Sequence, residues 1–162
     1  MPRRSRVAGG VSTVELVTGL IVLVPIVLAL FELMMIVIVA QVSDGATREA
    51  ARVAASSDPR YAQQRADAVI AQTNQTSHTM SSQFKMVSFA FTPADTLAQE
   101  TTMIPYGGTL NGDVTVKVQC TVKPYLISLL TNNMPITFNS MKTCPFTYNV
   151  PNTAGGAAIG GP

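Results

Sequence analysis

The sequence predicts an α+β chain: a long N-terminal transmembrane helix that continues as an exported stalk and packs with a small antiparallel β-sheet. Three observations predict it. An apolar run from Leu16 to Val42 is interrupted by a single charge, Glu32; an Ala-, Arg- and Glu-rich stretch without proline follows it from Gln41 to Ser56; and beyond Gln83 the hydrophobic period changes from helical to alternating.

The apolar run holds 27 residues. At about 1.5 Å per helical residue it reaches roughly 40 Å, against about 30 Å for a bilayer core. The surplus accommodates tilt, or a helix that leaves the membrane as a stalk. Secretory apolar regions run about 7 to 15 residues, and no small-residue cleavage site follows this run, which argues against removal as an ordinary signal peptide. Charge gives the orientation. Arg3, Arg4 and Arg6 precede the span without an acid among them, whereas Arg48 and Arg52 beyond it are balanced by Asp44 and Glu49. The basic side is expected in the cytoplasm, so the chain from Ser43 onward is expected outside the inner membrane. The formal net charge is +2, and without residues 1–10 it becomes eight basic against nine acidic side chains. A near-neutral exported part suggests no nucleic-acid partner.

Five segments follow: a basic cytoplasmic leader (1–10), the transmembrane helix (11–42), a helical stalk with a polar connection (43–82), an exported β-rich domain (83–150) and a flexible tail (151–162). In the stalk, Ala46, Ala50 and Ala54 fall four apart and form a smooth stripe that lets another element approach closely. Asp44 and Arg48 are spaced to pair at i,i+4. Asp58-Pro59 reads as a cap followed by proline in the first helical turn, so helix is expected to resume from Pro59 to about Thr73. In the β-rich part, Phe84, Met86, Ser88 and Ala90 alternate with Lys85, Val87, Phe89 and Phe91. Val114, Val116, Val118 and Cys120 alternate more cleanly with Thr115, Lys117, Gln119 and Thr121. Ile136 to Met141 is a third candidate strand and Cys144 to Val150 a fourth. Pro105-Tyr106-Gly107-Gly108, Asn111-Gly112-Asp113 and Asn132-Asn133-Met134-Pro135 read as punctuation between them. The Gly-, Ala- and Pro-rich end from Pro151 has too little apolar area to offset its ordering entropy.

Cys120 and Cys144 lie in the part expected to meet an oxidising compartment. A disulfide between them would close a loop of about 25 residues, worth roughly 3 to 4 kcal/mol by chain entropy. Two unpaired thiols are the alternative, because spacing alone does not bring side chains together.

Chemistry concentrates at the start of the chain. Gly9-Gly10 fits an extended conformation in a protease cleft because neither residue has a side chain to clash. A cut between Gly10 and Val11 makes Val11 the new amino terminus and Glu15 the fifth mature residue. A carboxylate at the bilayer edge needs a partner, and the α-amino group of a neighbouring subunit's Val11 would supply a cation that sets the axial register between subunits. Glu32 lies deeper, where an unpaired charge costs at least about 2.5 to 3.5 kcal/mol. Seventeen residues from Glu15, it sits about a quarter turn away, so the two are expected to serve different sites, Glu32 contacting another subunit or membrane component. The one histidine, His78, lies in a polar stretch without a cysteine or carboxylate at metal-ligand spacing. With no GxSxG, HExxH, CxxC or phosphate-loop motif, no enzyme activity, metal or cofactor is expected.

The order Val14-Glu15-Leu16, a long apolar span, Phe31-Glu32-Leu33 and then Ala46 to Ala54 resembles the TadE-like minor pilins of the tight-adherence (Tad) pilus system. The strand from Val114 to Val122, Pro124-Tyr125-Leu126 and the stretch Ile136 to Lys142 are similar to that family's exported sheet. The resemblance implies a pilin-like fold, cleavage after Gly10 by a prepilin-type peptidase, and partnership with other pilin or pseudopilin subunits and the inner-membrane assembly platform. Glu15 and Leu16 correspond to the cleavage and assembly motif. Leu16 stands where the family often carries an aromatic residue, which keeps type II pseudopilins and type IV minor pilins open as relatives. The other function class is a permanently anchored envelope protein whose exported sheet binds a partner.

Overall fold

The computed structural model describes residues 8–76, 83–124 and 134–153, with side chains from residue 13 onward. Helix α1 runs from Ala8 to Ala55, 48 residues, and passes through Pro25 without ending. Its close is local chemistry. Ser56 Oγ and Ser57 Oγ both donate to the carbonyl of Val53, and the Ser56 amide donates to Arg52 O at 3.0 Å, so the last carbonyls are satisfied. Asp58 then starts α2 (Pro59–Thr76), its Oδ1 accepting the Arg60 amide at 2.9 Å while Pro59 occupies the first helical position, which has no use for an amide hydrogen. The expected restart at Pro59 is therefore seen, and α2 extends one turn past Thr73.

Three antiparallel strands make the sheet: β1 (Gln83–Thr92), β2 (Gly108–Val122) and β3 (Ile136–Val150), in the order β1-β2-β3. The arrangement is α+β, with α1 and α2 layered on one sheet face. On β2, Val114, Val116, Val118, Cys120 and Val122 all point into the core, while Lys117 and Gln119 alternate outward. Across from them lie the alanines of α1 and α2. Ala46, Ala50, Ala54, Ala62 and Ala66 are all buried, so the small-residue stripe brings helix and sheet backbones close.

Four strand-level expectations are corrected. A bulge at Val87, between the pairs Met86–Val118 and Ser88–Lys117, inserts one residue and flips the alternation. Phe84, Met86, Phe89 and Phe91 thus pack against one core, where a strict period of two would divide them. Asn111-Gly112-Asp113 is not a turn but the interior of β2, paired with Thr147, Phe146 and Pro145. A Cβ on Gly112 would stand 2.5 Å from Thr92 O and 2.9 Å from the Phe146 ring, so close backbone approach explains this glycine. The third and fourth candidate strands are one continuous strand, β3, with Pro145 tolerated because β3 is an edge. The fourth correction concerns the cysteines. Cys120 pairs with Phe138 and Cys144 with Val114, six register positions apart, which is about 20 Å of strand against a reach of about 7 Å for a bridge. Both thiols are free, and this fold does not permit the expected intrachain disulfide.

Helix α3 (Thr96–Met103), absent from the sequence expectations, crosses between β1 and β2. It is closed by the Gly107 amide on Met103 O at 2.7 Å, with Gly107 at φ 75°, the left-handed position that favours glycine. Pro151–Thr153 departs from the flexible-tail expectation. The Thr153 amide and hydroxyl both reach Ile104 O, at 3.3 and 3.0 Å. His78, Asn132-Asn133, Tyr125-Leu126 and the remainder of the tail lie outside the described residues.

Candidate functional site

The backbone carries Gly10 and Val11 inside the first turns of α1, and Glu15 and Leu16 follow one turn on, both exposed. From Thr13 to Phe31 the helix is free of the body: every residue is exposed except the half-buried Ala29. Glu15 makes no ion pair with any described residue, and Thr18 Oγ1 donates to Val14 O at 2.8 Å, so polar groups here are satisfied along the helix or left outward. This free segment is about 28 Å long, close to the thickness of a bilayer core, and its uncharged run from Leu16 to Phe31 covers about 24 Å of it. The most apolar 18-residue window of the helix from Thr13 to Ala55 has a mean hydropathy of 3.0.

Glu32 marks where the helix meets the body. It is only 5% exposed, and Ile36, Val39 and Ser43 continue the same buried face at helical spacing. Glu15 and Glu32 are thus separated, as their spacing requires: one projects from the free helix and the other is enclosed by its own chain.

One polar tie holds α1 to β3, and a second holds the α1–α2 turn to it. Midway along the docked part of α1, Asp44 Oδ1 accepts from Lys142 Nζ at 2.9 Å and from Ser140 Oγ at 3.0 Å. These hydrogen bonds, the Ser140 one included, hold the Asp44 carboxyl below its ordinary range, against a small opposing effect of desolvation. The expected Asp44–Arg48 pair is present but longer, 3.4 Å. In the turn past the end of α1, Tyr148 donates to Asp58 Oδ2 at 3.2 Å, beside an ion pair of exposed Arg60 Nε with buried Glu100 Oε1 at 3.0 Å. Burial pushes the Glu100 carboxyl up, the Asp58 charge adds to the rise, and Arg60 opposes it. The Tyr148 hydroxyl is pushed up by burial and by the same Asp58. Sequence reading missed this cluster. The cap at Asp58 was visible, but its partners come from α3 and the end of β3. Asn74 is a further anchor: its side-chain amide donates to Phe84 O and accepts from Phe84 N, both at 2.8 Å, completing the outer edge of β1.

A segment that opens on a candidate scissile bond, projects an apolar helix with an exposed carboxylate and then docks through small residues is the part of the chain that known proteins share. Residues 10–52 match the TadE-like protein family. The TadE-like segment contains Gly10, Val11, Glu15, Leu16, Glu32 and the alanine stripe up to Arg52, and stops before α2 and the sheet. No curated protein and no solved structure is matched. The family is structural and associated with the Tad pilus, and one apolar N-terminal helix fits a single-pass membrane protein of that system. Among the described residues no group of three or more His, Cys, Asp or Glu side chains is arranged to hold a metal ion.

Proposed function

We propose that this chain is a minor pilin or pseudopilin, cleaved after Gly10 and used to assemble or initiate a Tad-type surface pilus. The observation that carries the reading is the free apolar helix of the TadE-like segment, from Thr13 to Phe31, which the body of the protein leaves uncovered. Such a surface needs lipid before assembly and the apolar helices of other subunits after it. In this reading a prepilin-type peptidase acts at the cytoplasmic face of the inner membrane. The new Val11 ammonium neutralises Glu15 of the adjacent subunit, and Leu16 packs beside it. The partners are other pilin or pseudopilin subunits and the assembly platform, with the body held outside the membrane. Glu32, shielded by its own chain, is assigned to the seam between span and body rather than to a contact between subunits.

Amino-terminal sequencing of the protein extracted from cells that possess the peptidase tests the reading. Val11 as first residue is the expected result, and Gly10→Trp should leave a species ten residues longer. Retention of the arginine-rich leader would favour the permanently anchored envelope protein instead.

A further inference from the structure

The apolar surface of α1 does not stop where the body begins. Past Glu32 one face turns inward, but Leu33, Met34, Val37 and Ile38 on the opposite face stay exposed, so the skin of the span continues about 10 Å alongside the body. The next charge on the helix is Asp44, already engaged by Lys142.

The body's lower edge lies at the same level. Because Ser140 meets Asp44 midway along the docked helix and Tyr148 meets Asp58 just past its end, β3 runs along α1 away from the free helix. Going back six residues from Ser140 to Met134 covers about 20 Å of extended chain, equivalent to about thirteen residues of helix. Scaled by the two ties, that course puts Met134, two residues before β3 begins, at the foot of the body near the level of Phe31 to Leu33. Met134 is 66% exposed, and Lys123, just past the Val122–Ile136 pair that ends the β2–β3 ladder, is exposed as well. No acidic residue follows Asp113, which sits in the far third of β2, and the one acid of α1 at this level, Glu32, is buried, so Lys123 gives this base an exposed positive charge.

We propose that the base of the body is a membrane seat: Met134 and the outer α1 face at Leu33, Met34, Val37 and Ile38 enter the interfacial layer of the bilayer that α1 crosses, and Lys123 meets anionic phospholipid headgroups there. The proposal rests on the reading of α1 as a span. Continuity of the apolar surface and the positive base single out a lipid leaflet as the occupant. The interfacial layer adds about 5 to 8 Å on each side of the hydrocarbon, close to the height of the exposed 33–38 face. A lysine at this depth keeps its ammonium among phosphates while its stem covers apolar surface.

The chain contains no tryptophan, so single substitutions report position directly. Full-length Met134→Trp, Tyr106→Trp and Leu23→Trp proteins are reconstituted into vesicles of phosphatidylcholine and phosphatidylglycerol carrying acyl-brominated lipid. The expected result is strong quenching of Leu23→Trp, quenching of Met134→Trp at least half as large, and none of Tyr106→Trp, which lies in the turn at the opposite end. Adding Lys123→Gln should reduce the Met134→Trp quenching when phosphatidylglycerol is present and leave it unchanged in phosphatidylcholine alone. Quenching of Leu23→Trp without Met134→Trp would overturn the seat and leave the span intact; loss of both would overturn the span itself. Met134→Trp emission that follows the protein-to-lipid ratio rather than bromination would assign the base to a second copy of the chain and also overturn the proposal.

Discussion

Replacing Asn74 by alanine removes both hydrogen bonds that tie the end of α2 to the outer edge of β1. Each is 2.8 Å long, and together they satisfy the Phe84 amide and carbonyl, which face away from β2. A hydrogen bond of this kind contributes about 1 kcal/mol net, so the pair is worth about 2 kcal/mol. For a chain of this size that corresponds to a fall in Tm of about 6 °C. Asn74→Asp keeps an acceptor for the Phe84 amide but sets a carboxylate against the Phe84 carbonyl, so it should lose at least half as much. Gln75→Ala, on the exposed side of the same turn, is the control. Calorimetry of the detergent-solubilised chain gives the Tm values, and hydrogen exchange at the Phe84 amide gives the local effect. A Tm for Asn74→Ala equal to that of Gln75→Ala, with Phe84 exchange unchanged, would refute the clamp.

Gly112→Ala drives a methyl group into Thr92 O and the Phe146 ring, and should destabilise by about 1 to 3 kcal/mol, read as a lower denaturant midpoint. Glu100→Gln addresses pH. Because the folded protein raises the Glu100 carboxyl above its ordinary 4.5, the folded state holds that proton more tightly, and the wild type should gain stability relative to the variant as pH falls through the raised value toward 4.5. Asp44 has the opposite sign: its depressed carboxyl stabilises above its ordinary 3.8 and loses that contribution as pH falls through the lower folded value. Parallel pH–stability curves for wild type and Glu100→Gln would remove Glu100 from the account. For the thiols, labelling of the native protein should modify the half-buried Cys144 first, while Cys120, buried and pushed up to about 11, reacts only on unfolding. A reducible peptide joining the two would contradict the register of β2 and β3.

The helical half of the fold was legible in the sequence because its signals are local. The long apolar run, the alanine stripe and the Asp58-Pro59 restart each depend on residues within a few positions of one another. The sheet was legible in β2, whose alternation is strict, and obscured where one residue changes the reading. The bulge at Val87 reverses the face of everything after it, Gly112 imitates a turn because its reason is a neighbouring strand, and Pro145 imitates a break although it lies on an edge. At the candidate site, Gly10, Val11, Glu15 and Leu16 could be named from order alone. The burial of Glu32 could not, because its cover comes from the fold of the chain beyond the helix. Nor could the Arg60–Glu100 pair, whose partners are forty positions apart and meet only once α3 exists.

The parallel course of α1 and β3 has a mechanical consequence. The polar ties, Asp44 to Lys142 and Ser140 midway along the docked helix and Asp58 to Tyr148 in the turn just past its end, lie along a seam whose long axis is that of the helix. Tension applied along α1 therefore shears the seam instead of peeling it, so the two attachments and the packed side chains between them share the load at once. A subunit hauled by its helix out of a bilayer, or strained within a fibre, would keep its body attached under forces that would unzip the same bonds one at a time if they were pulled crosswise.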